Sequence, residues 1–149
     1  MKTHGIRIFE DKKKFLSIVL SDILKEIYQG ESYFWNILYL DGTLVHNQGK
    51  NLIKYMKKIN ESSEGIFINW KELFLLSEQF DQIFETIILG SKDINLLHRY
   101  KNDNEMYESC DIVIELIDCY FWEVHAKDQI IIEKLTKRFS KIELIEIKK

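Results

Sequence analysis

Two runs of strand-forming residues that nearly touch place the strongest limit on the fold of this chain. The first run spans Asp111 to Ile117, the second spans Tyr120 to Ala126, and only two residues separate them. Both runs are rich in β-branched and aromatic residues, which favour strands. Since so short a link can join only antiparallel strands, we predict a β-hairpin that turns at residues 118–119.

Similar patterns predict the other elements. Apolar runs predict strands at Gly5–Phe9, Tyr33–Leu40, Phe84–Leu89 and Ile142–Ile147. Asp41-Gly42 predicts a second hairpin, because this dipeptide suits a tight turn between strands. Helical spacing and capping residues predict helices that begin at Asp11, Asn51, Asn69 and Lys127, and that at Asn69 ends near Gln79. Residues 93–109 read as irregular or weakly helical.

Hairpins mixed with single helices predict an α+β fold. We expect one domain over residues 1–149, with a single mixed, mostly antiparallel twisted sheet and helices packed on it. The chain has 149 residues, of which 46% are hydrophobic, so it can bury a substantial core.

The sequence favours a cytoplasmic protein with free thiols. No apolar run follows the first residues as in a signal peptide, and none is long enough to span a bilayer. We therefore expect no membrane partner. The strand between Cys110 and Cys119 would hold them about 25–30 Å apart, whereas a disulfide needs about 7 Å or less between Cα atoms.

The motifs of metal, cofactor and nucleotide sites are absent from the sequence. The histidines His4, His46, His98 and His125 lie more than four residues apart, and no Cys-x-x-Cys pair occurs. Zinc sites usually show such local pairs. Glycine-rich phosphate loops and serine nucleophile elbows are also missing. We therefore expect no cofactor, no metal and no enzymatic activity.

Charge is unevenly distributed along the chain. Residues 61–123 contain 4 basic and 14 acidic side chains, a net charge of −10 within a total of −3. Nucleic acid would repel this segment, so we expect no nucleic-acid partner. If the acidic side chains share one surface, they would speed association with a basic protein. The other reading is an ordinary solvated face.

The hairpin at 111–126 supplies the candidate contact residues for such a partner. We expect acidic groups to steer the partner and aromatic groups to anchor it. The predicted partner-binding residues are Glu115, Asp118, Tyr120, Trp122 and Glu123. Most aromatics of the clusters at 33–39 and 120–122 are expected in the core and hairpin, with a protein-binding face as the alternative.

Two alternatives to a binding protein remain. In the predicted register Ile112 faces His125, which places Cys110 diagonal to His125 and on the same face as Glu123. A thiol, an imidazole and a carboxylate so arranged would suit a small cysteine-dependent enzyme. The second alternative is a structural subunit of a larger assembly.

Three segments carry a resemblance to a known family. They are Gly5–Phe9, Ser109–Ile114 and Lys127-Asp128 with the following Ile132–Leu135. On these, the chain resembles a domain-of-unknown-function family of small proteins from Bacillus-type bacteria. In type it is also similar to immunity proteins of bacterial toxin systems. That similarity implies a protein that neutralises a basic toxin domain.

Overall fold

A computed structural model describes residues 4–9, 18–44, 50–118 and 120–146. The strands are β1 (Gly5–Phe9), β2 (Phe34–Leu44), β3 (Ile66–Ile68), β4 (Phe80–Ser91), β5 (Ile112–Ile117), β6 (Phe121–Ala126) and β7 (Ile142–Ile145). The helices are α1 (Leu20–Leu24), α2 (Lys50–Glu61), α3 (Trp70–Ser77), α4 (Asp103–Ser109) and α5 (Gln129–Arg138). Two 3₁₀ turns cover Gly30–Ser32 and Ile94–Leu96. Cys119 and residues 11–17 of the helix predicted from Asp11 lie outside the described residues. That helix was expected to end at Gln29-Gly30, but α1 ends at Leu24 and residues 25–29 are not helical.

The strands form one open sheet in the order β3-β2-β4-β5-β6-β1-β7. Each neighbouring pair runs antiparallel. Helices pack against this sheet, so the predicted α+β class is confirmed. β1 lies between β6 and β7, which places Arg7 opposite both Glu123 and Glu143. Residues from the two ends of the chain therefore meet on one part of the sheet.

The two faces of the sheet differ in their contents. The first face carries the main core, against which buried residues of α1, α3 and α5 pack. One row of this core crosses five strands through Ile6, Val124, Ile114, Ile88 and Ile37. The second face carries a smaller core around Leu89 and Val113, which Met106 and Tyr107 of α4 cover. Both faces of the central strands are consequently buried.

The predicted hairpin at Asp41-Gly42 is wrong, because β2 continues through both residues. Gly42 lies opposite Ile83 of β4, and the register of the two strands shifts between Asp41 and Gly42. A Cβ atom on Gly42 would come within 2.3 Å of the carbonyl oxygen of Gln82. Glycine at this position therefore permits the close approach of two strands and does not form a turn.

β3 is a three-residue edge strand that the sequence pattern did not predict. It pairs with the start of β2, where Phe67 lies opposite Asn36. Within the described residues, no further strand pairs with the outer edge of β3. Farther along β2, the side-chain amide of Asn60 hydrogen-bonds both the N–H and the carbonyl of Leu40, each at 2.9 Å. The Asn60 side chain thus occupies the edge of β2 that β3 leaves uncovered.

The starts of α3 and α5 follow the local signals in the sequence. Asn69 accepts a hydrogen bond from the N–H of Glu72 at 2.8 Å, and its own amide donates to the Glu72 carboxylate. α3 therefore begins at Trp70 as predicted, and it ends at Ser77. Asp128 caps α5 by accepting from the N–H of Ile130 at 2.9 Å. No helix in the described ranges is long and apolar enough to cross a membrane.

Candidate functional site

β5 and β6 form the predicted hairpin, but its turn contains one more residue than expected. Ile117 lies opposite Phe121, not opposite Tyr120, so the turn comprises residues 118–120. Asp118 has a φ of 48°, and the N–H of Tyr120 donates to the carbonyl of Ile117 at 2.8 Å. Three-residue hairpin loops commonly contain a residue with positive φ. The predicted register was therefore wrong by one position.

The corrected register brings two carboxyl side chains together. Glu115 of β5 lies opposite Glu123 of β6, and His125 lies opposite Val113. These three polar side chains occupy the second face, where 6% of Glu115, 5% of Glu123 and 2% of His125 is exposed. Like charges directly opposite each other in a sheet are destabilising. The pair therefore needs a neighbouring cation, a retained proton, or both.

Glu123 has a cation. The Nε of Arg7 donates to Oε1 of Glu123 at 2.8 Å, and Nε2 of His125 lies 3.0 Å from Oε2. Burial raises the pKa of Glu123, but the hydrogen bonds from His125 and Arg7 outweigh it and hold the pKa at about 2. Glu123 is therefore ionised at neutral pH, and its charge is balanced by the Arg7 guanidinium.

Glu115 has a hydroxyl group instead of a cation. The hydroxyl of Tyr107 lies 2.5 Å from Oε1 of Glu115. Burial raises the pKa of Glu115 to about 7, a rise that the hydrogen bond from Tyr107 opposes and the charge of Glu123 increases. Burial and Glu115 also raise the pKa of Tyr107. Between about pH 2 and pH 7 the carboxyl pair therefore holds a single negative charge.

His125 is fixed between a tyrosine ring and a glycine. Its ring stacks on Tyr107 with centroids 3.7 Å apart and an interplanar angle of 9°. Its Nδ1 is buried without a hydrogen-bond partner among the described residues, and a Cβ on Gly5 would lie 2.7 Å from that atom. A proton on Nδ1 would be an unsatisfied buried donor. The geometry therefore directs Nε2 of His125 at Glu123.

The five predicted partner-binding residues do not share one outward-facing surface, so that expectation is corrected. Trp122 is 1% exposed in the main core, and Glu115 and Glu123 are buried on the second face. Side chains alternate between the faces of a strand, and both faces are covered here. Tyr120 is 74% exposed, and Asp118 is exposed beside it at the hairpin turn. Their part in binding stays a prediction.

The carboxylates of residues 61–123 are likewise distributed over the molecule. Asp118 follows the end of β5, whereas Asp93 follows the end of β4 at the opposite end of the sheet. Asp103 lies on α4 over the second face. Lys127 stands 3.9 Å from Asp111 and neutralises part of the charge. The segment therefore does not form the single acidic surface on which the expectation of a basic partner depended.

The predicted cysteine arrangement is only partly assembled. Glu123 and His125 are in contact, but no hydrogen bond joins Cys110 to His125 among the described residues. The thiol of Cys110 instead lies 3.5 Å from the carbonyl of Leu96 and 3.9 Å from the hydroxyl of Tyr100. Burial raises the pKa of the Cys110 thiol, which disfavours the nucleophilic thiolate. Cys110 is a free thiol, as predicted.

The described histidines do not assemble a metal site. His4 and His125 have ring centroids 5.9 Å apart, and Nε2 of His4 hydrogen-bonds the carbonyl of Tyr107 at 2.9 Å. Over the ranges that the structure describes, no group of three or more His, Cys, Asp and Glu side chains is placed to hold a metal ion. His46 lies outside those ranges.

A second candidate site lies at the β3 edge of the sheet. A cleft of about 610 Å³ opens there, and we call it the edge cleft. Its apolar lining consists of Tyr33, Phe34, Trp35, Phe67, Ile68, Trp70 and Ile94. Its polar lining consists of Glu31, Asn69, Lys71 and Glu72. The edge cleft thus combines an aromatic interior with side chains of both charges.

The floor of the edge cleft is a rigid pair of indoles. Trp35 and Trp70 stack with ring centroids 5.1 Å apart, and Phe74 meets Trp70 edge-on at 5.0 Å. The Nε1 of Trp35 donates to the carbonyl of Gly30 at 2.8 Å. A Cβ on Gly30 would lie 2.3 Å from the Trp70 ring, so glycine lets the indole lie against the backbone. These contacts hold the two indoles in place at the floor of the edge cleft.

The mouth of the edge cleft exposes large apolar side chains. Phe34 is 49% exposed, Phe67 is 53% exposed and Ile94 is 44% exposed. Phe67 lies opposite Asn36, and Phe34 precedes Asn36 by two positions, so both rings are on the second face as diagonal neighbours. The aromatic cluster is visible in the sequence, but the site is not, because β3 has only three residues and is too short to show an alternating apolar pattern.

The comparisons with known proteins supply no relatives. No protein-family model, no curated protein and no solved structure matches the chain. The resemblance to a Bacillus-type family and the similarity to immunity proteins therefore stay predictions.

Proposed function

We propose that the protein is a protein-binding module whose edge cleft receives an extended segment of another protein. One observation carries the proposal: Phe34, Phe67 and Ile94 are each about half exposed beside a strand edge that no described strand covers. Contiguous exposed apolar groups with a polar rim are typical of interaction sites. The same surface therefore offers both side-chain contacts and backbone hydrogen bonds.

The outer edge of β3 is suited to pairing with an added strand. Its sequence, Ile66-Phe67-Ile68, contains neither a charged residue nor a proline, the residues that often protect natural sheet edges. An added segment would place alternate side chains on the two faces of the sheet. Those on one face would meet the exposed Phe34 and Phe67 rings, and those on the other would meet Trp70.

The length of the pairing is limited by the structure itself. Asn60 occupies the edge of β2 at Leu40, and β3 has only three residues. Backbone pairing over so few residues is weak, so we expect the aromatic contacts to supply most of the affinity. The partner segment should therefore carry large apolar side chains at alternate positions.

The proposal keeps the predicted class of protein and changes the contact surface. A basic toxin domain was expected because of an acidic surface, and the described carboxylates do not form one. The edge cleft instead has Glu31 and Lys71 in its wall, and Lys92 stands 5.6 Å from the centre of the Tyr33 ring nearby. This mixture of charges favours no strongly charged partner, so apolar content should decide recognition.

A peptide selection tests the proposal. A phage library of random twelve-residue linear peptides would be selected on the purified chain, and Kd values would be measured for the enriched peptides. We expect Phe67→Ser to weaken binding by about tenfold or more, as loss of an aromatic anchor does. Ile130→Ser is the matched control, because Ile130 is 47% exposed on α5, outside the edge cleft.

Two results would contradict the proposal. The first is a set of selected peptides that bind Phe67→Ser as tightly as the wild type. The second is a dimer of the chain in size-exclusion chromatography that Phe67→Ser converts to a monomer. In that case a second copy of the chain occupies the edge cleft, and the structural-subunit alternative is favoured.

A further inference from the structure

We propose that α4 is a pH-controlled cover on the second face of the sheet, docked while the Glu115 carboxyl group holds its proton and released when the proton is lost. The inference is independent of the edge cleft. It depends on how α4 is attached, on which charges surround Glu115, and on which of its neighbours can move.

α4 is held by a small number of tertiary contacts. It has seven residues, Asp103 to Ser109, and helices shorter than about twelve residues are marginal on their own in water. Its buried residues are Met106 and Tyr107. Asn102 caps its start by accepting a hydrogen bond from the N–H of Glu105 at 2.8 Å. The position of α4 is therefore set mainly by what Met106 and Tyr107 contact.

Tyr107 attaches α4 to three titratable side chains. Its hydroxyl hydrogen-bonds Glu115 at 2.5 Å, its ring stacks on His125 at 3.7 Å, and its carbonyl contacts Nε2 of His4 at 2.9 Å. A change in the charge of this group of side chains therefore acts directly on the attachment of the helix.

The surroundings of Glu115 disfavour a second buried negative charge. Glu123 faces it from β6, and Tyr107 and Asp103 approach it from α4. Its partner on β4 is the apolar Ile87. No cation contacts Glu115 within the part of the chain that the structure describes. An ionised Glu115 would therefore lie buried between the charges of Glu123 and Asp103, with one hydroxyl as its donor.

The charges beyond Glu123 cannot relieve this repulsion. The Arg7 guanidinium is already bound to Glu123, and it also contacts Glu143 of β7 at 3.6 Å and lies over the Phe121 ring. His125 donates to Glu123 and stacks on Tyr107, and its Nδ1 has no hydrogen-bond partner among the described residues. His4 is bound to a backbone carbonyl of α4. Arg7, His125 and His4 thus each have other partners, and none of them contacts Glu115 in the described part of the chain.

Release of α4 is the movement that hydrates Glu115 with the least disruption. β4, β5 and β6 are interior strands, each hydrogen-bonded on both sides. α4 lies over them and carries Asp103, whose charge repels an ionised Glu115. The hydrogen bond from Tyr107 to the ionised carboxylate opposes release. Ionisation of Glu115 therefore shifts the equilibrium between docked and released α4 toward the released state, while the sheet remains intact.

Hydrogen exchange tests the proposal directly. Amide exchange in the peptide that contains residues 103–109 would be measured between pH 6 and pH 8 and corrected for the intrinsic rate. We expect protection of these amides to fall by about tenfold over this range, because ionisation of Glu115 favours the state in which α4 is released. Glu115→Gln should abolish the change. Glu143→Gln is the control and should keep it, since Glu143 is an exposed carboxylate that contacts Arg7.

Three outcomes would overturn the proposal. They are constant protection in the wild type, an equal fall in Glu115→Gln, or an equal fall in the amides of β5 and β6, which would indicate unfolding of the sheet. If Glu115→Gln does not fold, the carboxyl ¹³C shift of Glu115 in the wild type replaces it. Its midpoint should coincide with that of the exchange change, and a different midpoint would reject the mechanism.

Discussion

At the scale of single residues, Asn60 makes the two hydrogen bonds to Leu40 that a neighbouring strand would make. The role of Asn69 at the start of α3 could be predicted from sequence, because its partner, Glu72, is three residues away. Asn60 could not be assigned in this way, since its partner is 20 positions distant and belongs to a different element. Local hydrogen bonds follow from sequence spacing, whereas those between elements require the fold.

Replacement of Asn60 should therefore destabilise the protein. We expect Asn60→Ala to lower the free energy of unfolding by about 1–3 kcal/mol, because it leaves the N–H and carbonyl of Leu40 without these partners. Urea denaturation measures the change. Asn51→Ala, at an exposed position of the same helix, should change the free energy of unfolding much less, and an equal loss in the two variants would contradict the assignment.

At the scale of elements, the sequence predicted strands more successfully than their connections. β1, β4, β5 and β6 were recognised because apolar and β-branched residues mark them. The Asp41-Gly42 turn was predicted wrongly, since a glycine needed for a close strand contact resembles a glycine needed for a turn. The hairpin register failed because the positive φ of Asp118 adds a loop residue. That one-position error also separated Glu115 from Glu123 in the predicted site.

The turn of this hairpin can be tested by substitution. Asp118→Gly should raise the free energy of unfolding by up to about 1 kcal/mol, because glycine adopts a positive φ without steric cost. Asp118→Val should lower it by about 1 kcal/mol or more, since a β-branched residue is disfavoured at a φ of 48°. Thermal unfolding of both variants measures the difference. Equal stabilities would contradict the three-residue turn.

At the scale of the whole molecule, the uneven charge of the sequence was real but its arrangement was not predictable. Net charge can be counted from residues, whereas the surface on which a carboxylate lies depends on strand order. Two of the 14 acidic side chains of residues 61–123, Glu115 and Glu123, are buried and define the electrostatics of the second face. Their opposite environments make stability depend on pH.

Glu115 and Glu123 should affect stability in opposite directions. The pKa of Glu115 is raised to about 7 in the folded protein. The protonated carboxyl group therefore adds to the free energy of unfolding, and this contribution is lost as the pH rises from about 4.5 to 7. The pKa of Glu123 is lowered to about 2, so its contribution is present above about pH 4.5 and lost as the pH falls towards 2. These two groups together favour a stability maximum in mildly acidic solution.

Urea denaturation at pH 4.5 and pH 8 tests this dependence. At each pH the free energy of unfolding of the wild type is subtracted from that of Glu115→Gln. This difference should be larger at pH 8 than at pH 4.5 by about 1–3 kcal/mol, because glutamine cannot ionise. Glu143→Gln, in which an exposed carboxylate is removed, should show much less change. An identical difference between Glu115→Gln and the wild type at both pH values would contradict the raised pKa.

The position of β1 within the sheet has a consequence for synthesis of the protein. Arg7 and Glu123 are 116 positions apart, so the ribosome releases β1 long before its partner β6 exists. During translation Ile6 and Ile8 have no strand to pair with, and the nascent chain must keep this apolar segment from aggregating. The sheet can therefore be completed only after β6 and β7 have been synthesised, and the many distant contacts should make this step slow.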